Sequence, residues 1–433
     1  MHQTLKQKTK TMKKFLLSSF VIATLALTGC SKDDNPTPVV ATCNDGVQNG
    51  DETGIDCGGS ACEPCSVQAQ KDGIIASQDD PDLDPLDLKG NVTADVCLTN
   101  DTVWILSGPL SVKAGATLCI EPGTTIKAVA GGTNVYVVIE QGAKINAAGT
   151  AASPIKFTSN AANPRSGDWG GILLIGKAPI SGGGTATTEV VDLTYGGTTP
   201  NDNSGVMKYV EASYTGARIN GDKEFNGITF YGVGSETVIE NLAVFYGDDD
   251  AYEWFGGTVN VKNLMAVNIK DDMFDWTQGW TGTATNLYGL REANFTSITE
   301  DPRGLEGDGN LDGNSPGDSG QSNPTINGLV LINGAAVEFS DMIKVRRGSG
   351  LTLTNAYVAF ANASAKAADF IDLTDSKGDA KGSSVNISVV GDSSTGLDIA
   401  DNKTTAGAII NVTDGTTPTV SRDLFNWTGY IFE

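Results

Sequence analysis

Hydrophobic and polar residues along most of this chain alternate over short distances, without the helical spacing of an amphipathic segment. From about Gly90 onward, short runs of β-forming residues recur, and glycine, asparagine and aspartate separate them. The clearest runs are 102–106, 117–120, 135–140, 154–158, 171–175, 228–231, 238–244, 259–267, 329–332, 351–358 and 385–390. This pattern predicts an all-β domain over residues 90–433, built either as a sandwich of hairpins or as a solenoid.

A repeat of 22 residues favours the solenoid. The segment GDDDAYEWFGG (247–257) is followed by KDDMFDWTQGW (270–280), and the overlay aligns three acids and a tryptophan at a spacing of 22 residues. Cys97 and Cys119 are also 22 residues apart. This length suits one coil of a parallel β-helix, whose neighbouring strands lie about 4.8 Å apart. We therefore expect a Cys97–Cys119 disulfide that secures the open N-terminal edge of the solenoid.

Four segments carry a resemblance to a known family. They are GATLCIEPGTTIKA (115–128), QGAKINAAGTAASPIKFTS (141–159), GDWGGILLIGKAPI (167–180) and AYEWFGGTVNVKNLMAVNIKDDMFDWTQG (251–279). They resemble a family of bacterial surface lipoproteins, of the Bacteroidetes type, that have a pectin-lyase-like fold. The resemblance covers roughly residues 90–433. It implies a right-handed, single-stranded parallel β-helix, and it implies no particular reaction.

The beginning of the chain predicts export and a lipid anchor. Residues 1–29 contain a basic start and an uncharged stretch too short to span a membrane, as in a secretory signal peptide. Leu27-Thr28-Gly29-Cys30 resembles a lipobox, which makes Cys30 the expected lipidation (palmitate) site; the alternative is an ordinary signal with an incidental cysteine. Ser31-Lys32-Asp33-Asp34, directly after that cysteine, resembles an acidic surface-export signal. We expect a protein on the outer membrane that faces the exterior and touches the membrane only through its lipid.

Charge and histidine content exclude several functions. The chain carries a net charge of −23, and without residues 1–29 it has 24 basic and 52 acidic side chains, a net charge of −28. Such a surface argues against nucleic-acid binding and favours a divalent cation or a basic partner. The only histidine, His2, lies in the predicted signal peptide, which excludes a histidine general base and a zinc–histidine site. We also expect no haem and no nucleotide cofactor.

A small cysteine-rich module is predicted at residues 43–65, between a lipidated N-terminal linker (30–42) and a second linker (66–89). It contains Cys43, Cys57, Cys62 and Cys65, which allow three pairings into two disulfides. Acidic residues on its glycine-rich turns either bind calcium or cap the turns. We expect this module to act as a spacer.

The aligned acids and tryptophans form one predicted strip on the solenoid. Residues one coil apart lie side by side, so like charges about 5 Å apart need a cation, a basic group or protonation to offset their repulsion. The strip consists of Asp248, Asp249, Asp250, Glu253, Trp254, Asp271, Asp272, Asp275, Trp276 and Trp280.

Three interpretations of this strip remain open, apart from a purely architectural role of its acids in turns. The first is non-catalytic recognition of an extracellular ligand, for which we expect a glycan, with the tryptophans as stacking surfaces. The second is a calcium-dependent polysaccharide lyase or a glycoside hydrolase, with catalytic candidates Asp249, Asp271, Asp272, Arg303 and Arg346. The third is an adhesin, or an accessory subunit of an outer-membrane TonB-dependent transporter. The sequence favours the first.

A separate calcium loop is predicted at residues 306–318. Asp308, Asn310 and Asp312 follow the first half of a calcium-loop pattern, and Asp318 is a further ligand candidate. Ser319 stands where the final glutamate belongs, which excludes an EF-hand.

Overall fold

The described part of the chain consists almost entirely of strands and turns. We describe the computed structural model for residues 42–53, 55–63, 71–220 and 223–432. They belong to two compact units, Met1–Gln68 and Ala69–Glu433. The predicted signal peptide, Cys30 and Cys65 lie outside the described residues. No helix within the described ranges has the length and hydrophobicity needed to cross a lipid bilayer.

The larger unit contains 27 strands and four short 3-10 helices within the described residues. The first twelve strands are β1 (Ile74–Ile75), β2 (Leu88–Val92), β3 (Val96–Leu98), β4 (Val103–Val112), β5 (Thr117–Ile120), β6 (Thr125–Ala128), β7 (Val137–Ile139), β8 (Lys144–Ala148), β9 (Ile155–Ser159), β10 (Ile172–Ile175), β11 (Ala186–Thr187) and β12 (Thr194–Tyr195). The next eight are β13 (Gly205–Ser213), β14 (Ile228–Tyr231), β15 (Val238–Phe245), β16 (Tyr252–Phe255), β17 (Val261–Val267), β18 (Phe274–Thr277), β19 (Thr283–Arg291) and β20 (Arg303–Gly307). The last seven are β21 (Thr325–Asn333), β22 (Glu338–Lys344), β23 (Leu351–Phe360), β24 (Lys366–Asp372), β25 (Val385–Gly391), β26 (Asn402–Lys403) and β27 (Ile409–Asp414). The 3-10 helices are Leu311–Gly313, Gly382–Ser384, Ser393–Thr395 and Arg422–Thr428.

Twenty-five of these strands form one parallel sheet in which each strand pairs with its counterpart in the next coil. Short strands, from β7 and β10 through β14, β16, β18, β20, β22, β24 and β26, pair in succession and form what we call the short-strand face. Longer strands, β13, β15, β17, β19, β21, β23, β25 and β27, pair in succession and supply the rest of the wall. This topology confirms the predicted parallel β-helix.

The long strands bend at asparagines in the left-handed backbone region. Asn241, Asn263 and Asn286 have φ values of 56°, 57° and 60°, a conformation that asparagine tolerates better than most residues. Their side chains form a ladder: the Asn263 Nδ2 donates to the Asn241 Oδ1 at 2.8 Å, and the Asn286 Nδ2 donates to the Asn263 Oδ1 at 2.8 Å. The ladder fixes the bend in three successive coils.

The interior contains stacked apolar side chains. Tyr252 pairs in register with Phe274, and Trp254 pairs with Trp276, in neighbouring strands of the short-strand face. The Trp254 and Trp280 rings stack at 4.5 Å. A second apolar cluster lies where residues from Val420 onward cover the outer surface of the long strands. Most of the apolar surface of the solenoid is therefore buried by its own chain.

The cysteines form disulfides where the sequence predicts them. Cys97 and Cys119 are register partners in β3 and β5 and form a disulfide. In the small module, Cys43 pairs with Cys62, which selects one partner from the open alternatives. The module's acids cap turns: the Asp56 carboxylate accepts backbone N–H bonds from residues 45 and 46.

The second predicted linker is partly wrong. Within residues 66–89, β1 and the start of β2 already pair in the parallel sheet. Leu88 is buried, because this segment supplies apolar side chains to the first coil. The solenoid therefore begins before Gly90.

We predict that Asn263→Ala lowers the free energy of unfolding by about 2–3 kcal/mol, because it breaks one buried and one partly buried amide hydrogen bond and leaves polar atoms unpaired. Asn355→Ala is the matched control: Asn355 has φ of 53° and one exposed bond to Asn327, so the left-handed strain is similar and the expected loss is about 1 kcal/mol or less. Urea unfolding of both variants measures the difference. Equal losses of unfolding free energy in the two variants would show that the asparagine ladder does not contribute to stability.

Candidate functional site

An acidic cleft of about 720 Å3 lies over the short-strand face. Eleven of its lining residues are acids and three are basic, which gives it a formal charge of −8. The lining residues are Glu189, Arg218, Glu224, Asp248, Asp249, Asp250, Glu253, Lys270, Asp271, Asp272, Ser297, Ile298, Thr299, Glu300, Asp301, Arg303 and Glu306. Most members of the predicted strip thus lie in one cavity.

Strand register explains why these acids lie together. Glu253 in β16 is the partner of Asp275 in β18, and Asp275 is the partner of Glu306 in β20. Side chains alternate along a strand, so these three acids face outward, and the residues before and after each of them in its own strand face the interior. The predicted stacking of Glu253 beside Asp275 and of Trp254 beside Trp276 is confirmed.

The tryptophans do not face a ligand, and this corrects the predicted stacking surface. Trp254, Trp276 and Trp280 are at most 1% exposed and belong to the interior core. The Trp276 Nε1 donates to the Ser349 Oγ at 3.0 Å, and the Trp280 Nε1 donates to the Val259 carbonyl at 3.1 Å. For Trp254 and Trp276 the physical reason is strand parity: a tryptophan directly after an outward acid faces inward.

Arg218 and Lys270 neutralise the first part of the cleft. The Arg218 Nη2 lies 2.7 Å from the Asp249 Oδ1 and 3.7 Å from the Asp271 Oδ2, and its Nε lies 3.1 Å from the Asp248 Oδ2. Lys270 forms an ion pair with the other oxygen of Asp248. At this end of the cleft, basic side chains of the protein itself therefore neutralise part of the negative charge.

Two acids in the middle of the cleft hold the backbone of the next coil. The Asp250 Oδ1 accepts the N–H of Asp272 at 2.9 Å, and the Asp272 Oδ1 accepts the N–H of Arg303 at 2.5 Å. The Asn226 Nδ2 donates to the Glu253 Oε2 at 2.5 Å. These bonds order the carboxylates without supplying a full positive charge.

The carboxylates form overlapping clusters in which three oxygens lie within 4.8 Å of one another. Three clusters contain residues that line the cleft: Asp249, Asp250 and Asp271; Asp250, Glu253 and Asp275; and Asp272, Asp275 and Glu306, of which Asp275 is not itself a lining residue. At such a separation two full charges repel by about 3 kcal/mol at an effective dielectric constant near 20. Asp275 is 9% exposed, and its buried Oδ1 has no hydrogen-bond partner among the described residues. Oxygen-only clusters with an unpaired buried oxygen fit a hard divalent cation such as calcium.

Burial and mutual repulsion raise the pKa of these carboxyls. For Asp250, Glu253 and Asp275, burial is the main cause and neighbouring carboxylates add to it, so the pKa lies well above the usual value. Burial, together with Glu224, raises the pKa of Glu189 to about 8. At neutral pH the Glu189 carboxyl is therefore mostly protonated.

The far end of the cleft is built from arginine–carboxylate pairs. The Arg303 Nη1 lies 2.9 Å from the Glu306 Oε1, and the Arg346 Nη2 lies 2.7 Å from the same oxygen. Burial lowers the pKa of Arg303, but Glu306 and Asp272 outweigh that effect, and the pKa is raised. Arg303 lines the cleft, whereas Arg346 lies behind it against Glu306 and Asp308.

The structure does not bring together the residues predicted to form a calcium loop at 306–318. The two oxygens of Asp308 lie 2.8 Å from Arg346 and 2.6 Å from Arg347. The Asn310 amide binds backbone and Gln321, and the Asp312 side chain is 65% exposed. Among the described residues, no compact acid cluster contains Asp308, Asp312 or Asp318. Ion pairing with arginines from a later coil occupies the oxygens that a cation would need.

Comparison with known proteins identifies the domain. A family model described as a pectate-lyase like beta helix domain matches residues 90–429. The chain belongs to this family. Neither the curated proteins nor the solved structures contain a match. Membership in a pectate-lyase-like family is consistent with a function related to carbohydrates.

The sequence prediction missed several residues of the acidic cleft. Glu189, Arg218 and Glu224 come from segments between strands, where no repeat aligns them with the strip. Lys270 could have been found, because it follows its partner Asp248 by 22 residues, the spacing that defines the repeat.

We predict that Asp275→Asn stabilises the protein more at pH 8 than at pH 5 when divalent cations are absent. The pKa of this carboxyl is higher in the folded state than in the unfolded state. The folded state therefore loses stability as the pH rises from the pKa in the unfolded state through the pKa in the folded state. Asparagine keeps the shape without the charge, so the gain in the free energy of unfolding should be larger at pH 8 than at pH 5. Urea unfolding at the two pH values measures it; a pH-independent effect would contradict the raised pKa.

Proposed function

We propose that this protein is a cell-surface lipoprotein that binds an extracellular glycan in the acidic cleft without cleaving it. The observation that carries the proposal is the cleft itself, a cavity of about 720 Å3 in a pectate-lyase-like β-helix, lined with ordered carboxylates. Carboxylates accept hydrogen bonds from sugar hydroxyls, and they bridge through a divalent cation to acidic sugars.

A divalent cation is the expected partner of the central carboxylates. Asp250, Glu253 and Asp275 would hold it, because their oxygens are close together and the Asp275 Oδ1 is unpaired among the described residues. The bound cation would supply positive charge to carboxylate or hydroxyl groups of the glycan. The chain's own residues would orient the sugar: Arg218 and Lys270 present positive charge at one end of the cleft.

A polysaccharide lyase or hydrolase is the second candidate, because basic groups lie within hydrogen-bond reach of the acids. A lyase needs a base that can lose its proton near neutral pH. Burial lowers the pKa of Arg218, but Asp249 and Asp248 outweigh it, and the pKa is raised. The pKa of Arg303 is raised in the same way. Both guanidiniums therefore serve better as charge partners than as bases, which favours binding over cleavage.

The lipid anchor at Cys30 and the outward-facing location on the outer membrane belong to this proposal, since they rest on the sequence of residues 27–34. An adhesin or a transporter accessory subunit would use the same location. Such a partner needs an open apolar surface, and the apolar outer surface of the long strands is covered by residues from Val420 onward. Glycan binding is therefore the better-supported role.

We predict that calcium raises the unfolding temperature and that Asp275→Asn removes most of this response. At a calcium concentration of about 100 times Kd, the stabilisation should approach about 2.7 kcal/mol. Asp369→Asn is the matched control: Asp369 belongs to another compact acid cluster, but Lys403 lies 2.6 Å from its Oδ2 and already supplies positive charge. Thermal unfolding with calcium and with chelator tests this; an equal loss in both variants would place the cation elsewhere.

We predict that native gels containing acidic polysaccharides retard the protein in calcium but not in chelator. Asp271→Asn should weaken the retardation at least tenfold, because Asp271 lines the cleft. Trp276→Phe should leave it unchanged, because Trp276 is buried in the interior. The same samples are assayed for new reducing ends and for unsaturated products. Products would establish an enzyme, and retardation that survives Asp271→Asn would remove the acidic cleft from the function.

A further inference from the structure

A second groove, of about 630 Å3, lies at the bend of the long strands, where the C-terminal 3-10 helix Arg422–Thr428 packs against β15 and β17. We call it the corner groove. The residues that matter for its chemistry are Tyr209, Asn241, Asn263, Asp423, Asn426 and Trp427. None of them lines the acidic cleft.

The corner groove contains the kind of aromatic surface that the acidic cleft lacks. Tyr209 and Trp427 are both half-buried, so part of each ring faces solvent. Their ring centres are 5.5 Å apart, and the planes are almost perpendicular at 89°. Two rings at a right angle form a corner in which the apolar face of a sugar ring can pack against one aromatic plane while its edge contacts the other.

The asparagine ladder ends in this groove with an unused donor. Each ladder amide donates to the asparagine of the preceding coil, from Asn286 to Asn263 and from Asn263 to Asn241. In the coil before Asn241 the corresponding position is Tyr209, which has φ of 50° and no side-chain amide. The Asn241 Nδ2 therefore donates to no described residue, and the place where its acceptor would stand belongs to the groove.

Trp427 contributes its ring face to the groove rather than its ring nitrogen. The Trp427 Nε1 is buried and has no hydrogen-bond partner among the described residues, so the Asn241 Nδ2 is the donor that a ligand can use. The groove also contains hydrogen-bond acceptors. One of them is the Asp423 carboxylate, whose Oδ1 accepts a 3.3 Å bond from the Asn426 Nδ2. The charged lining residues are Glu240, Lys262 and Asp423, a formal charge of −1, compared with −8 for the acidic cleft.

We propose that the corner groove is a binding site for a neutral oligosaccharide, packed in the corner formed by the Tyr209 and Trp427 rings and accepting a hydrogen bond from the Asn241 Nδ2. Neutral N–H donors beside aromatic faces suit hydroxyl groups and the C–H face of a sugar. The site goes beyond the proposed function, because it needs neither the acidic cleft nor a divalent cation.

Isothermal titration of the purified protein with cellohexaose, mannohexaose, xylohexaose and maltohexaose tests the proposal. We expect saturable binding of at least one of these, unchanged by chelator. Tyr209→Asn should weaken that binding at least tenfold, because it removes one ring and adds an amide that accepts the bond from Asn241. The variant should be at least as stable as the parent protein, since asparagine suits the left-handed backbone and extends the ladder.

Tyr209→Phe is the matched control and should keep the affinity, because it retains the ring. Trp427→Leu is a second variant and should also weaken binding at least tenfold. Asp275→Asn should leave the affinity unchanged, which separates this site from the acidic cleft. No saturable binding of any of the four sugars would overturn the proposal, and so would binding that persists in folded Tyr209→Asn protein.

Discussion

The parallel hydrogen bonds between successive coils are the constraint on which the rest of this structure depends. They place each residue beside its counterpart one coil away, on the same side of the wall. Inside, this aligns aromatic residues, so that the Tyr252 ring stacks on Phe274 and Trp254 is the register partner of Trp276. Outside, the same register aligns Glu253 with Asp275 and forces like charges together. Packing and electrostatic repulsion thus have a single cause.

The short-strand face responds to that repulsion in two ways. Toward its C-terminal end, Lys344, Asp372 and Lys403 share one register position, and their opposite charges neutralise each other. At the acidic cleft, the register partners Glu253 and Asp275 are both acids. The charges of the C-terminal coils are therefore balanced by side chains of the chain itself, whereas the repulsion between Glu253 and Asp275 is relieved only by protonation or by a bound cation.

The sequence predicted the features that the 22-residue period controls. It located the coil repeat, the Cys97–Cys119 pair and the acidic ladder, because all three repeat in register. It misplaced the tryptophans because a repeat reveals which residues stack without revealing which side of the wall they face. It also missed Arg218 and the arginine pair on Asp308, since these contacts join segments 30 to 39 residues apart that share no repeat.

The covering of the long strands by residues from Val420 onward has a consequence for biosynthesis. A chain is made from its N-terminus, so β15 to β23 are complete long before the segment that covers them. During that interval the outer surface formed by residues such as Phe245, Val267 and Ile332 is exposed and adhesive. The coils can thus wind before the segment that covers them is in place, whereas protection from aggregation arrives in a separate, late step.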